Sequence, residues 1–585
     1  MKKSLSARLE QLESAKSWRG PGCGPKTERL LGSIRLAAFR DAASLIRLHD
    51  ALLFLRAFPQ SSTVVHRTEQ LLAGVEPEVV HLRESGADMD QFDSEAVSGM
   101  AGAVLTDTFT YEVARWLMRR YPRQVRADWD ADAQARRLGA ALPRFLPLLD
   151  DDCLVEADTP YMTWLGHAAG EGHELEWLLQ RLEDAPILIA QKTELYDALE
   201  IQLEWELGDC HASRTLARRK APKLFLHEDP LIRRNQVVLA EEFRSPPLPV
   251  RKLSRDGGQE ILDMCRDAVT VRYRELYGTT RGDPTQVYEA APGRGVQIFL
   301  WGLPPDRRLP LRAYHAGFTL KNGVPVNYIE GISLFEWMEV GFNTFYAFRD
   351  GETAWIYSKA LHFLHQLTGV TCISVYPYQL GHENEEAIQS GAFWFYRKLG
   401  FRPGRPDLLA LTLREEQKLS RDPKHRTSAR TLRKLAAGHA FYEFGDQPRG
   451  RWDTFATRNL GFAVQRNMAA NYHGNPDAMR RDARSALARH LDLDLGSWSA
   501  VARNAFENFA VLFSLIPEAA GWTSAQKLAL IDVIRAKTAP HEADYLHLLQ
   551  RHDGLRESLV RLGSAPAMAS DDPVHRKPRV APAGP

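Results

Sequence analysis

Two stretches of the chain hold residue types that could do chemistry. The first is AFRDGETAW, where Arg349, Asp350, Gly351, Glu352, Thr353 and Ala354 form a turn that runs into a helix. A turn of this kind aims free backbone N–H groups outward, and the helix dipole adds partial positive charge. Together they suit a pyrophosphate. A Glu352 carboxylate facing that pyrophosphate would weaken binding unless the side chain turns away. The second stretch is HENEEAIQSGAFWFYRKLGFRP (382–403), which crowds Phe393, Trp394, Phe395 and Tyr396 ahead of a basic pair and Leu-Gly-Phe. Ala392, Phe395, Tyr396 and Leu399 lie at helical spacing and read as a packed face. A phenol is also a proton donor, with a pKa near 10 in its ordinary state. Phe393 and Phe395 read as packing.

These residues need elements to position them. QEILDMCRDAVTVRYRELYG (259–278) reads as a helix. Strand-like segments follow at 295–303, 314–320, 324–334 and 337–345, rich in β-branched and aromatic residues. The second and third of these are joined by Lys321-Asn322-Gly323, and Asn-Gly supplies the positive φ angles of a tight hairpin. GETAWIYSKALHFLHQLTG (351–369) predicts a helix closed by Gly369. TCISVYPYQL (371–380) reads as a strand, the aromatic stretch as the next helix, and PDLLALTL (406–413) as a final strand.

The order helix, strands with hairpin, strand, helix, strand, helix, strand over 259–413 resembles the GNAT superfamily of acyl-CoA-dependent N-acyltransferases. The likeness rests on MEVGFNTFYAFRDGETAWIYSKAL and NEEAIQSGAFWFYRKLGF, and it covers about 155 of the 585 residues. It implies that Val340, Gly341 and Phe342 hold the acyl carbonyl and pantetheine arm through backbone groups. It implies that the 349–354 turn holds the pyrophosphate of acetyl-CoA or another acyl-CoA as co-substrate, with Arg349 and Ala354 at the ends of the motif. Asn384 and Ala387 match the start of the second segment, and Tyr396 matches the tyrosine that protonates the departing thiolate. Tyr396 stands twelve residues after Asn384, a longer spacing than the family's. An amine attacks only when neutral, so a base is useful. Among the strand carboxylates, Glu339 is the first match to that role and Glu330 the second. Gly341 marks a point where the strand splays or bulges to admit a ligand.

The rest of the chain sets limits. The formal net charge of +1 argues against a dedicated nucleic-acid binder. Five scattered cysteines without a CxxC pair fit a reduced intracellular protein. HELEW (173–177) lacks the HExxH spacing, and no metal is expected. No signal segment or membrane span is read, so a cytoplasmic location is expected. The expected fold class is multidomain α plus α/β. A flexible 1–28 precedes a helical domain at 29–242, and a Pro- and Gly-rich linker (243–258) leads into a central GNAT-like mixed sheet at 250–415. A helical domain at 420–562, with helix starts at Asn475-Pro476 and Thr523, precedes a disordered tail at 563–585. Two functions remain open. One is an N-acyltransferase with an amine acceptor. The other is a scaffold of the same fold, without chemistry, that recruits a protein partner through its helical regions.

Overall fold

Asn322 and Gly323 take φ angles of +50° and +81°. They close a two-residue hairpin, as the Asn-Gly pair predicts, and the sheet extends outward from it. The structure, a computed structural model, describes residues 4–36, 39–129, 131–422, 424–445 and 448–564. In chain order the strands are β1 (Val104–Asp107), β2 (Val125–Asp128), β3 (Gln202–Glu206), β4 (Val250–Lys252), β5 (Val287–Gly293), β6 (Val296–Trp301), β7 (Ala313–Lys321), β8 (Val324–Leu334), β9 (Trp337–Thr344), β10 (Cys372–Val375), β11 (Arg402–Pro403) and β12 (Ala440–Glu443). The nine-stranded sheet runs β4-β5-β6-β7-β8-β9-β10-β12-β11, and a separate sheet runs β1-β3-β2. β4 to β9 form an antiparallel meander. The helix Thr353–Thr368 then crosses over to β10, which lies parallel to β9. Gly369 ends that helix at φ +74°, the left-handed cap the sequence predicts.

Register decides which side chains share a face. Tyr314, Ile332 and Glu339 form one row across β7, β8 and β9; Ala316, Glu330 and Gly341 form the next; Phe318, Tyr328 and Asn343 form a third. Period-two alternation puts all three rows on one face. That face packs beneath the helices Arg255–Thr270 and Ala42–Ala57, with Leu262, Cys265 and Phe54 in the same core as Phe318 and Tyr328. The other face, with Ile329, Val340 and Phe342, packs beneath Ile356, Tyr357 and Ala360 of the 353–368 helix.

Several sequence expectations are corrected. The N-terminal segment is not frayed where it is described. Leu5–Ala15 and Cys23–Gly32 are helices, and Leu9 and Leu12 are fully buried in the core beneath the sheet. The 29–242 region is not helical throughout, because β1, β2 and β3 build a small sheet within a core of its own. The 243–258 segment does not separate two cores. The chain leading to it straps the sheet through Arg219 N–H to Gly323 O at 2.9 Å and Phe225 N–H to Asn322 Oδ1 at 2.8 Å, and the segment itself is tied to the 353–368 helix by Leu248 N–H to Gln366 Oε1 at 2.8 Å. The final strand is not 406–413, which lies in the helix Pro406–Arg421. Pro406 starts that helix, and Leu408, Thr412 and Glu415 form its buried stripe. The strand position beside β10 belongs to β12.

The C-terminal helices begin at Asn475 and Thr523 caps as expected. Their core is continuous with the sheet, since Leu334, Trp337 and Phe441 join Trp452, Phe506 and Tyr545. The disordered tail expected at 563–585 lies outside the described residues from 565 on. No described helix is long and apolar enough to cross a membrane.

Candidate active site

β9 and β10 pair only from Cys372↔Trp337 to Ser374↔Glu339, and then they part. The cause is local. Pro377 has no N–H to extend a ladder, so residues 371–380 are a strand only to Val375 and a helical turn from Pro377 to Leu380. β9 runs on to Thr344, and beyond Val340 its edge away from β8 has no strand beside it among the described residues. The gap is a cleft of about 720 Å³ that reaches from Tyr396 and Thr353 on one side of the sheet to Tyr314 and Glu330 on the other. Val340, Gly341 and Phe342 line it at the parting point. Gly341 is a close-approach glycine. A side chain there would meet Gln379 Nε2 at 3.3 Å and the Glu330 side chain at 3.7 Å.

Glu352 turns away from this cleft. Its carboxylate is fully buried and accepts from Arg294 Nε at 2.9 Å, Lys321 Nζ at 3.3 Å and Ile232 N–H at 3.1 Å. The Arg294 guanidinium and the Lys321 ammonium hold its pKa below the ordinary value against the cost of burial. Burial in turn pulls Lys321 down to about 7, opposed by Glu352. With its carboxylate engaged there, Glu352 does not cap the helix it precedes. The N–H groups of Thr353, Ala354 and Trp355 have no hydrogen-bond partner among the described residues.

The other turn residues divide. Arg349 and Thr353 line the cleft. Arg349 is ion-paired with Glu386 and stacks on Tyr346 at 3.8 Å. Asp350 points to solvent and meets Lys16 at 3.7 Å. Gly351 is bare because Phe58 packs against it; an added Cβ would sit 2.5 Å from that ring. Ala354 is buried in the core under the helix. The side chains of Asp350, Gly351, Glu352 and Ala354 are therefore not presented to the cleft.

The aromatic stretch is two helices, Glu385–Ser390 and Ala392–Lys398, broken at Gly391 with φ +69°. The extra residues between Asn384 and Tyr396 are absorbed by this additional helical segment. Asn384 caps the first helix, accepting from Ala387 N–H at 3.1 Å. It lines the cleft beside that structural role. Tyr396 is 6% exposed and packs edge-on to Tyr357, Phe395 and Phe401. Its hydroxyl donates to Gln379 Oε1 at 3.3 Å, and burial pushes its pKa up. The residue is thus both packing and cleft wall.

The carboxylates also differ. Glu330 stands opposite Gly341 and accepts from the Tyr314 hydroxyl; burial raises its pKa. Glu339 Oε2 lies 2.9 Å from His439 Nε2, and His439 stacks edge-on to Tyr376. Sequence reasoning missed His439, Gln379, Tyr314 and Arg274. His439 sits one hundred residues from Glu339, just before β12, and no local pattern marks it. Glu95, from the N-terminal segment, pairs with Arg274 in the wall of the cleft.

Comparisons with protein-family models, curated proteins and solved structures find no significant match for this chain.

Proposed function

We propose that the cleft takes an acyl-CoA thioester and passes its acyl group to an amine, as in a GNAT-like N-acyltransferase. One observation carries this reading: two parallel strands part beside a helix N-terminus whose first-turn N–H groups are free. Such a helix end suits a pyrophosphate. Arg349 and Thr353 would flank it, and the open edge of β9 from Gly341 onward would hold the carbonyl and the amide-bearing arm. The co-substrate supplies an activated thioester.

The chain's own residues handle protons. Glu330, opposite Gly341, takes a proton from the incoming ammonium and leaves a neutral amine. The nitrogen–carbon bond forms as the carbon–sulfur bond breaks. The amine then gives up one further proton and the sulfur takes one, so this step is proton-neutral. Burial of Tyr396 makes full transfer to a thiolate of pKa about 8.5 uphill. Tyr396 therefore acts by hydrogen bonding to the sulfur as charge develops, its single O–H proton turning from Gln379 Oε1 to the sulfur. Glu339, paired to His439, lies farther along the cleft and is the lesser candidate for base.

Calorimetry with acetyl-CoA tests the reading. Wild type binds, and Arg349→Ala binds more weakly. Absence of binding by acetyl-CoA and longer acyl-CoAs would overturn it. A scaffold without chemistry keeps one supporting observation, the engagement of the Tyr396 hydroxyl by Gln379. Binding of acetyl-CoA without release of free thiol across an amine panel would favour that second reading.

A further inference from the structure

The acceptor side of the cleft carries an uneven charge pattern. Four carboxylates line the cleft: Glu95, Glu330, Glu339 and Glu386. Glu95 is paired with Arg274 and Glu386 with Arg349. Glu330 and Glu339 have no Lys or Arg within ion-pair distance among the described residues. Their contacts are the Tyr314 hydroxyl and the His439 imidazole. Arg274 and Arg312 act on them only from farther off. Both cleft arginines are already engaged, so among the described residues no unpaired Lys or Arg in the cleft wall awaits a substrate carboxylate.

Register sets the spacing of the two carboxylates. Glu330 faces Gly341 and Ile332 faces Glu339, so the pair are diagonal neighbours on one face. Diagonal positions of an antiparallel pair lie about 7–8 Å apart. Tyr314 and Tyr328 flank Glu330, and Tyr376 stands by Glu339. Tyrosine rings beside carboxylates suit alkylammonium groups, which they attract through the ring face.

We infer that the acceptor is a diamine or polyamine, with one amino group at Glu330 and a second ammonium held between Glu339, His439 and Tyr376. The inference rests on the acyl-transfer reading. The amine at Glu330 loses a proton to that carboxylate and attacks. The second ammonium keeps its proton and fixes the register of the chain. An amino acid or other anionic amine is disfavoured by two carboxylates that no Lys or Arg among the described residues pairs at close range.

The full chain is tested with 1,4-diaminobutane, 1-aminobutane and 4-aminobutanoate as acceptors, reading thiol release from acetyl-CoA. Binding of 1,4-diaminobutane is measured separately by calorimetry. The expected kcat/KM for the diamine exceeds that for 1-aminobutane by about tenfold or more, with 4-aminobutanoate the poorest. Glu339→Gln brings the diamine-to-monoamine ratio towards one. Equal or better use of 1-aminobutane or 4-aminobutanoate would overturn the diamine assignment while leaving acyl transfer standing. An unchanged ratio in Glu339→Gln would overturn the role of Glu339 in it. If acetyl-CoA does not bind but 1,4-diaminobutane does, and Glu339→Gln weakens it, the amine site stands and the transfer reading falls. If neither binds, both fall.

Discussion

At the scale of single residues, two carboxylates one row apart stand in different surroundings. Glu330 is buried beside Tyr314, and burial raises its pKa above the ordinary 4.5. A base works only when ionised, so activity should fall as pH drops through this raised pKa, above the range of an exposed glutamate. The Glu330→Gln variant should lose about 10²-fold or more in kcat/KM and lose that acid limb. A retained acid limb in the variant would move the base elsewhere. Tyr396 is bounded differently. Among the described residues its hydroxyl has one hydrogen-bond partner, Gln379, at 3.3 Å. Tyr396→Phe should therefore cost only about 1 kcal/mol in stability. It should lower kcat while leaving acetyl-CoA affinity unchanged. Equal kcat in Tyr396→Phe and wild type would reduce Tyr396 to a wall residue.

At the scale of elements, the helix start at Thr353 depends on where Glu352 goes. The residue immediately before the helix buries a carboxylate between Arg294 and Lys321 instead of capping, which leaves the first turn open to an anion. Removing one partner of a buried pair leaves the others uncompensated and costs about 3–5 kcal/mol. Glu352→Ala should lower the unfolding free energy by about that much, which equilibrium denaturant unfolding at neutral pH measures as a lower midpoint at unchanged slope. The stabilisation tied to the depressed Glu352 pKa is present above the ordinary carboxylate value and is lost as pH falls through the depressed one. Gly351→Ala should also destabilise, since its Cβ would strike the Phe58 ring. The second effect reads the docking of the Ala42–Ala57 helix, which carries Phe58 at its C-terminal end.

At the scale of the whole molecule, the sheet is not an excisable unit. The cores on its flanks are built jointly: Phe54 and Phe58 with Phe318 and Phe345 on one side, Trp452 and Tyr545 with Leu334 and Trp337 on the other. The site is shared in the same way. Glu95 comes from the N-terminal segment and His439 from beyond residue 415. A fragment spanning 250–415 lacks β12 and exposes these apolar faces. It should show no cooperative thermal transition by circular dichroism. A sharp transition with native-like thiol release would show instead that the flanks are dispensable.

The sequence by itself determined the local devices. Asn322-Gly323 fixes the hairpin because both residues tolerate positive φ. Gly369, Asn475 and Thr523 set helix ends through backbone conformation and side-chain caps. The strands from β6 to β9 were legible from β-branched and aromatic runs. Tyr396, Val340, Gly341, Phe342 and Arg349 came from the family resemblance, and the structure places them in the wall of the cleft. Only the tertiary structure decided the rest. PDLLALTL carries apolar residues that fit either period, and packing of Leu408, Thr412 and Glu415 makes it helical. The direction of the Glu352 side chain depends on Arg294 and Lys321, which lie more than thirty residues away. The meeting of Glu339 with His439 depends on β12 joining the sheet beside β10, a pairing between distant segments for which the sequence offers no period or turn.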